Sequence, residues 1–273
     1  MNPPAPIRDL PSVRRIIVRG VNWLGDAVMT TPALMRLRER FPETHIALLA
    51  PAKLKELWLN HPAVNETIGI EVGESVFQVA AKLRAGHYDL ALVLPNSPRS
   101  AIESWLARIP RRVGYARPWR NFFLTSALPS PTAVNAMRKR SLAEIQTLIA
   151  ENPESPTSSR AQTGPAHQTH DYLRLVGALG ANAAPLAPHL AVTETELNDA
   201  RVKFGIAQNS RPIFGLNPGA EYGPAKRWPA SQFIAGAREL QKKTDCVWLI
   251  LGGKTDIALA EEIRLAISDL PAA

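Results

Sequence analysis

The sequence predicts an α/β fold made of two doubly wound units with parallel sheets, the second of them incomplete. Three observations carry that expectation. Short β-branched runs alternate with helical patterns over the first hundred residues. The connections between them are short and marked by proline or glycine, as at Phe41-Pro42 and Ala85-Gly86. A second strand and helix series starts only after a proline-marked stretch near residue 190. Strand and helix in alternation imply a parallel sheet covered by helices on both faces.

The elements follow in order. Residues 13–19 read as a strand, 26–40 as a helix, 46–50 as a strand, 53–59 as a helix, 67–70 as a strand, 76–84 as a helix and 90–94 as a buried strand. Arginines cluster between 95 and 130, and no regular element is expected there. Residues 135–151 have helical character. The Pro-, Ser-, Thr- and Gly-rich stretch 152–168 reads as a surface loop, and 170–179 as a helix. The first domain is therefore expected over 1–180, and a linker marked by Pro185 and Pro188 over 181–192. The second domain, 193–273, should hold a helix over 193–204, a strand over 212–216, a helix over 231–242, the Cys246 strand, a Gly252-Gly253 turn and a helix from Asp256. Two strands do not make a stable doubly wound domain, so this domain is expected to be partial.

The chain has 273 residues, 45% hydrophobic, enough to bury a core without a disulfide or metal staple. Its single cysteine, Cys246, stands in the apolar run Cys246-Val247-Trp248-Leu249-Ile250-Leu251 and is expected to be a buried thiol. Met1-Asn2-Pro3-Pro4-Ala5-Pro6 has no apolar signal core, and no later apolar run reaches the roughly 20 residues of a membrane span. A cytoplasmic location is the expectation, with peripheral membrane contact left open. The net charge of +8 is concentrated. Between Glu103 and Glu144 there is no acidic residue but there are Arg108, Arg111, Arg112, Arg117, Arg120, Arg138, Lys139 and Arg140, which leaves 24 basic against 24 acidic residues elsewhere. Such a field either attracts an anionic partner or is a solvated surface. Its aromatic interleaving is thin (Tyr115, Trp119, Phe122, Phe123) and matches no nucleic-acid-binding module, so no nucleic-acid partner is expected.

Three constellations bear chemistry. The loop Arg19-Gly20-Val21-Asn22-Trp23-Leu24-Gly25-Asp26 joins the first strand to the first helix, at the sheet edge where open α/β folds bind ligands. Its glycines permit close backbone approach, although their spacing is not the dinucleotide fingerprint. Asp26 is either a helix-start carboxylate that caps free amides or a general base aimed into a cleft, with Trp23 as an apolar wall. The stretch 217–229, with Asn217, Pro218, Gly219, Ala220, Glu221, Gly223, Lys226 and Trp228, also lies between a strand and a helix. It suits a diphosphate, with Lys226 as the neutralising point charge or simply a surface lysine. In Gly252-Gly253-Lys254-Thr255-Asp256 the carboxylate holds ribose hydroxyls or caps the last helix. No Asp-x-Asp pair for a metal-bound sugar nucleotide occurs, no His/Cys cluster has metal spacing, and the Gly-x-Ser-x-Gly elbow of hydrolases is missing.

These residues resemble the ADP-heptose:lipopolysaccharide heptosyltransferases, glycosyltransferase family 9, and most of all its heptosyltransferase II branch. The resemblance rests on Gly25-Asp26 with Thr30-Thr31-Pro32-Ala33-Leu34, on Leu94-Pro95-Asn96-Ser97 and above all on 218–229. It runs from about Arg14 to Ile267, weakly between Ser130 and Gln168. It implies an inverting, metal-independent enzyme of the GT-B type with two Rossmann-like domains and its site in the cleft between them. By matching position, Asp26 would remove the acceptor proton and Lys226 would bind and stabilise the departing ADP diphosphate. Gly219, Ala220, Glu221 and Asp256 would complete the donor pocket. Asn96, Ser97, Arg117 and Arg120 would meet the acidic, phosphorylated lipopolysaccharide core, with peripheral contact at the inner face of the inner membrane. No cofactor is implied beyond ADP-heptose as donor substrate. One departure stands: the family's later Asp-Ser/Thr-Gly motif and following His find no counterpart after Asp256. A weakly binding, non-catalytic remnant is the alternative expectation.

Overall fold

The computed structural model describes residues 13–130, 147, 167–206, 211–220 and 226–270. They fall into two compact units, Met1–Ala191 and Val192–Ala273. The first unit is a six-stranded, wholly parallel sheet. Its elements are β1 (Arg15–Arg19), α1 (Leu24–Arg40), β2 (His45–Pro51), β3 (Glu66–Ile70), α2 (Val76–Ala85), β4 (Leu90–Val93), α3 (Pro98–Leu106), β5 (Arg111–Tyr115), β6 (Ser126–Leu128) and α4 (Gln168–Gly177). The strands lie in the order β3-β2-β1-β4-β5-β6.

Strand residues alternate between two cores, because successive side chains point to opposite faces. Ile16, Val18, Ile46, Leu48, Leu90 and Leu92 meet Ala33, Leu34 and Leu37 of α1 and Tyr172, Leu173 and Val176 of α4. Ile17, Ala47, Leu49, Ala91 and Val93 meet Val79, Ala80 and Leu83 of α2 and Ala101 of α3. A sheet buried on both faces reads as continuous apolar runs, which is why β2 and β4 were visible in the sequence. Within α1, Pro32 has no N–H for the carbonyl of Val28. The Thr31 hydroxyl donates to that carbonyl instead, at 2.9 Å, so the helix continues through the proline.

The sequence reading differs from the structure in two places. Residues 53–59, expected as a helix, form a 3-10 segment, Ala52–Trp58. Residues 95–130, expected to be irregular, contain α3, β5 and β6. β5 reads Arg-Arg-Val-Gly-Tyr, with both arginines only half-buried, and its last three residues turn inward. The charge masked a strand near the sheet edge. Of the helical stretch expected over 135–151, only Thr147 is described, and it is helical; the loop expected over 152–168 lies almost wholly outside the described residues. The proline-marked segment is tied to α1: Arg36 Nε donates to the Ala184 carbonyl (3.3 Å) and the His189 N–H donates to Thr31 Oγ1 (2.9 Å).

His61 closes the 3-10 segment and is 2% exposed. Its Nδ1 accepts the Ala63 N–H at 3.3 Å, and its ring meets Trp58 and His189 edge-on. Burial, and then the nearby His189, lower its pKa from 6.5 to about 4. The folded protein thus holds His61 neutral where the unfolded chain protonates it. The stability this confers is full above the unfolded value and is lost as pH falls through that window toward the folded one. We expect the unfolding free energy from urea titrations to fall between about pH 7 and about pH 4, by at most about 1.4 kcal/mol per pH unit from this group. In His61→Leu that drop should be shallower.

The second unit contains α5 (Glu194–Lys203), β7 (Ile213–Leu216), α6 (Ala230–Thr244), β8 (Val247–Ile250) and α7 (Ile257–Ala266). β7 and β8 pair in parallel across the α6 crossover. Leu216, Ala237, Cys246, Trp248, Ile263 and Ile267 form its core. Cys246 is a free, fully buried thiol, as its apolar run predicted.

Candidate active site

The strand order dictates where a ligand belongs in the first unit. From β1 the chain moves out to α1 on one face, and from β4 it moves out to α3 on the other. Their carboxyl ends therefore part, opening the crevice that such a reversal of strand order creates. A pocket of about 270 Å³ lies there, lined among others by Asn22, Trp23, Asp26, Asn96, Ser97 and Arg117. Four residues expected from the sequence (Asp26, Asn96, Ser97 and Arg117) thus meet in one place, carried by the loops after β1, β4 and β5.

Asp26 occupies the first turn of α1 and is half-buried. The helix cap is Trp23, which makes no side-chain cap hydrogen bond. The carboxylate stands close enough to Tyr172 of α4 to act on its hydroxyl. Burial first, and then the Asp26 charge, push that hydroxyl up to about 12, while Gln168 Nε2 donates to it at 2.7 Å. Tyr115, at the end of β5, donates its hydroxyl to the Asp171 carbonyl at 2.6 Å and so pins α4 to the sheet. Tyr115, Gln168, Asp171 and Tyr172 all line the pocket, yet none was singled out as a ligand-binding residue. Three of the four arrive on α4, and only the tertiary packing of α4 against α1 brings them in.

The two pocket-forming loops are braced by charge. Arg19, 7% exposed, donates from Nε to Glu103 Oε2 at 2.9 Å and from Nη1 to the Gly20 carbonyl (2.6 Å) and Asn22 Oδ1 (3.3 Å). The other oxygen of fully buried Glu103 accepts from Arg99 Nε at 3.0 Å. This joins the end of β1 to α3, whose Ser97 cap lies in the pocket wall. Gly20 serves the sheet rather than a ligand, because a β-carbon there would come within 3.2 Å of the Leu49 carbonyl oxygen. At Gly25 a β-carbon would meet nothing within 4 Å.

Arg120, expected on the acceptor surface, is fully buried. Its Nη1 donates to Asn96 Oδ1 at 3.3 Å, whereas Nε and Nη2 have no partner among the described residues. Burial, and next Arg117, lower its pKa to about 10. Arg120 therefore supports the pocket from behind, through Asn96. Space for it comes from Gly114, where a β-carbon would stand 2.8 Å from Nη2 and 3.0 Å from the Val93 carbonyl oxygen. Gly114→Ala is expected to displace the guanidinium and destabilise the fold by about 1–3 kcal/mol, measured by urea unfolding.

In the second unit Gly219, Ala220 and Asp256 come together at the carboxyl ends of β7 and β8. A β-carbon on Gly219 would run into both carboxylate oxygens of Asp256. Asp256 Oδ2 accepts the Gly253 N–H at 2.9 Å, and Arg227 Nη2 lies 3.8 Å from Oδ1. Arg227 Nη2 also donates to the Ala220 carbonyl at 3.1 Å. Asp256 stands at the start of α7 but makes no side-chain cap bond to that helix. Lys226 is exposed beside Arg227, and Glu221 lies outside the described residues. Arg227 was missed as a site residue although it falls inside the 218–229 stretch.

Comparison with known proteins gives a family match. The family described as "Glycosyltransferase family 9 (heptosyltransferase)" matches residues 76–270. The lipooligosaccharide heptosyltransferase 2 of Haemophilus ducreyi is 29% identical over 264 residues, covering 93% of this chain and 68% of that protein. The lipopolysaccharide heptosyltransferase 2 of Escherichia coli is 29% identical over 260 residues, with the same coverage. Among solved structures, the E. coli ADP-heptose lps heptosyltransferase II superposes with a TM-score of 0.69 at 28% identity, covering 95% of this chain and 71% of that one.

Proposed function

The chain belongs to glycosyltransferase family 9, with an α/β fold of the GT-B type, and from that premise we propose that it transfers heptose from ADP-heptose to the inner core of lipopolysaccharide, as heptosyltransferase II does. The observation that carries the reading is the crevice at β1 and β4, where a half-buried carboxylate stands among polar side chains able to orient a sugar. Asp26 accepts the proton of an acceptor hydroxyl as its oxygen attacks the anomeric carbon. The bond from that carbon to the diphosphate breaks on the opposite side, so configuration inverts. Lys226, with Gly219, Ala220, Glu221 and Asp256 as the other residues of the donor pocket, takes up the charge of the departing ADP. Asn96, Ser97 and Arg117 hold the acceptor, and Arg120 holds Asn96.

Metal independence is supported by the lack of any Asp-x-Asp pair in the sequence and by the cations Lys226 and Arg227, which can take the metal's place at the diphosphate. No cofactor enters the scheme. The acceptor is lipid-linked, so the protein works at the inner face of the inner membrane. Among the described residues no helix is long and apolar enough to cross a membrane.

The test is to incubate the purified chain with ADP-heptose and a deacylated inner-core acceptor, with and without EDTA, and to follow the acceptor by mass spectrometry and its new anomeric centre by NMR. Gain of one heptose of inverted configuration, indifferent to EDTA, supports the reading. Loss of product in EDTA removes metal independence. No product, together with little heat on titration with ADP, leaves the non-catalytic remnant.

A further inference from the structure

The turn after β5 carries a residue that its backbone disfavours. Arg120 N–H donates to the Arg117 carbonyl at 3.3 Å, closing a four-residue turn. Pro118 in its second position fixes a negative φ, and Trp119 in its third has φ 62°. That is a type II turn, whose third position favours glycine or asparagine. A tryptophan there is strained, and packing does not compensate, because Trp119 is 90% exposed. Phe122, three residues on, is 81% exposed. Strain and exposure of a large aromatic coincide in a segment where no Asp or Glu occurs between Glu103 and Glu144. Arg117, the first residue of the turn, lines the pocket.

We propose that this turn docks the protein on an anionic lipid bilayer, with Trp119 and Phe122 entering the interfacial layer and Arg117 meeting the head groups. An indole favours that layer because one end of the ring is apolar and the other donates a hydrogen bond. Basic residues near the surface are drawn to anionic lipid, and half-buried Arg117 at the head of the turn, in a stretch without a carboxylate, favours such a surface over a neutral apolar partner. The inference deepens the reading of a lipid-linked acceptor, since a turn that begins in the pocket wall would hold that pocket at the lipid surface. Its test needs neither donor nor acceptor, so it can fail while the transferase reading stands, and the reverse.

The purified chain is sedimented with vesicles of phosphatidylcholine alone or mixed with phosphatidylglycerol, across a range of salt. It is expected to partition onto the anionic vesicles, less so as salt rises. Trp119→Gly gives the turn its favoured residue, so the melting temperature should not fall. Its partitioning should nevertheless drop roughly tenfold, and Phe122→Ser should lower it in the same direction. Equal partitioning of wild type and Trp119→Gly would overturn the proposal, as would no binding to anionic vesicles. Self-association abolished by Trp119→Gly, without vesicle binding, would overturn it in favour of a second copy of the chain.

Discussion

Replacing Asp26 with asparagine is expected to lower heptosyl transfer by about 10²–10⁴-fold while leaving ADP affinity within about twofold. The substitution keeps the volume of the side chain and its place in the first turn of α1, so the pocket at β1 and β4 should keep its shape. What it removes is the atom that, in the proposed function, receives the acceptor proton. An independent reading comes from Tyr172. The Asp26 charge contributes to the rise of its hydroxyl to about 12, so in Asp26→Asn the tyrosine should ionise at lower pH, visible in an ultraviolet titration. A tyrosine that shifts with turnover unchanged would show that the carboxylate is near but not the base. If neither changes, Asp26 serves only as a negative charge near a helix terminus.

Lys226→Ala is expected to reduce turnover by about 10²–10³-fold and, unlike Asp26→Asn, to weaken ADP binding as well. The lysine is exposed beside Arg227, which is already engaged with the Ala220 carbonyl and near Asp256. Among the described residues it is therefore the cation of this loop left free to follow the diphosphate as charge builds on it. Lys226→Arg should recover part of the binding but less of the turnover, because a planar fork does not reproduce a compact ammonium. Isothermal titration with ADP and steady-state kinetics separate the two effects. Wild-type values in Lys226→Ala would return the residue to the solvated surface.

Much of this was legible in the sequence, for identifiable reasons. β1, β2 and β4 are buried on both faces and announce themselves as apolar runs, and α1 and α2 follow them at the regular βα interval. Asp26 could be placed because the loop after β1 ends at the carboxyl edge of the sheet. Asn96 and Ser97 followed from the family resemblance, and Arg117 from that resemblance together with the charge of its segment. The same charge hid β5 and misplaced Arg120, whose burial depends on Gly114 leaving room beneath it. Nothing in a linear reading distinguishes an arginine on the surface from one enclosed over a glycine of the preceding strand. Tyr172 and Asp171 were illegible for a different reason. They enter the pocket on a helix far along the chain, and the Tyr115 hydroxyl bond to the Asp171 carbonyl that fixes them is a tertiary fact.

The two glycines of the first loop will not drift alike over evolutionary time. Position 20 is pressed against the β2 backbone and has little tolerance for a side chain, so its lineage should stay frozen as long as the sheet keeps its register. Position 25 opens onto empty space, so no neighbouring atom holds a glycine there. Alanine should therefore be accepted without loss of stability at 25 and be costly at 20.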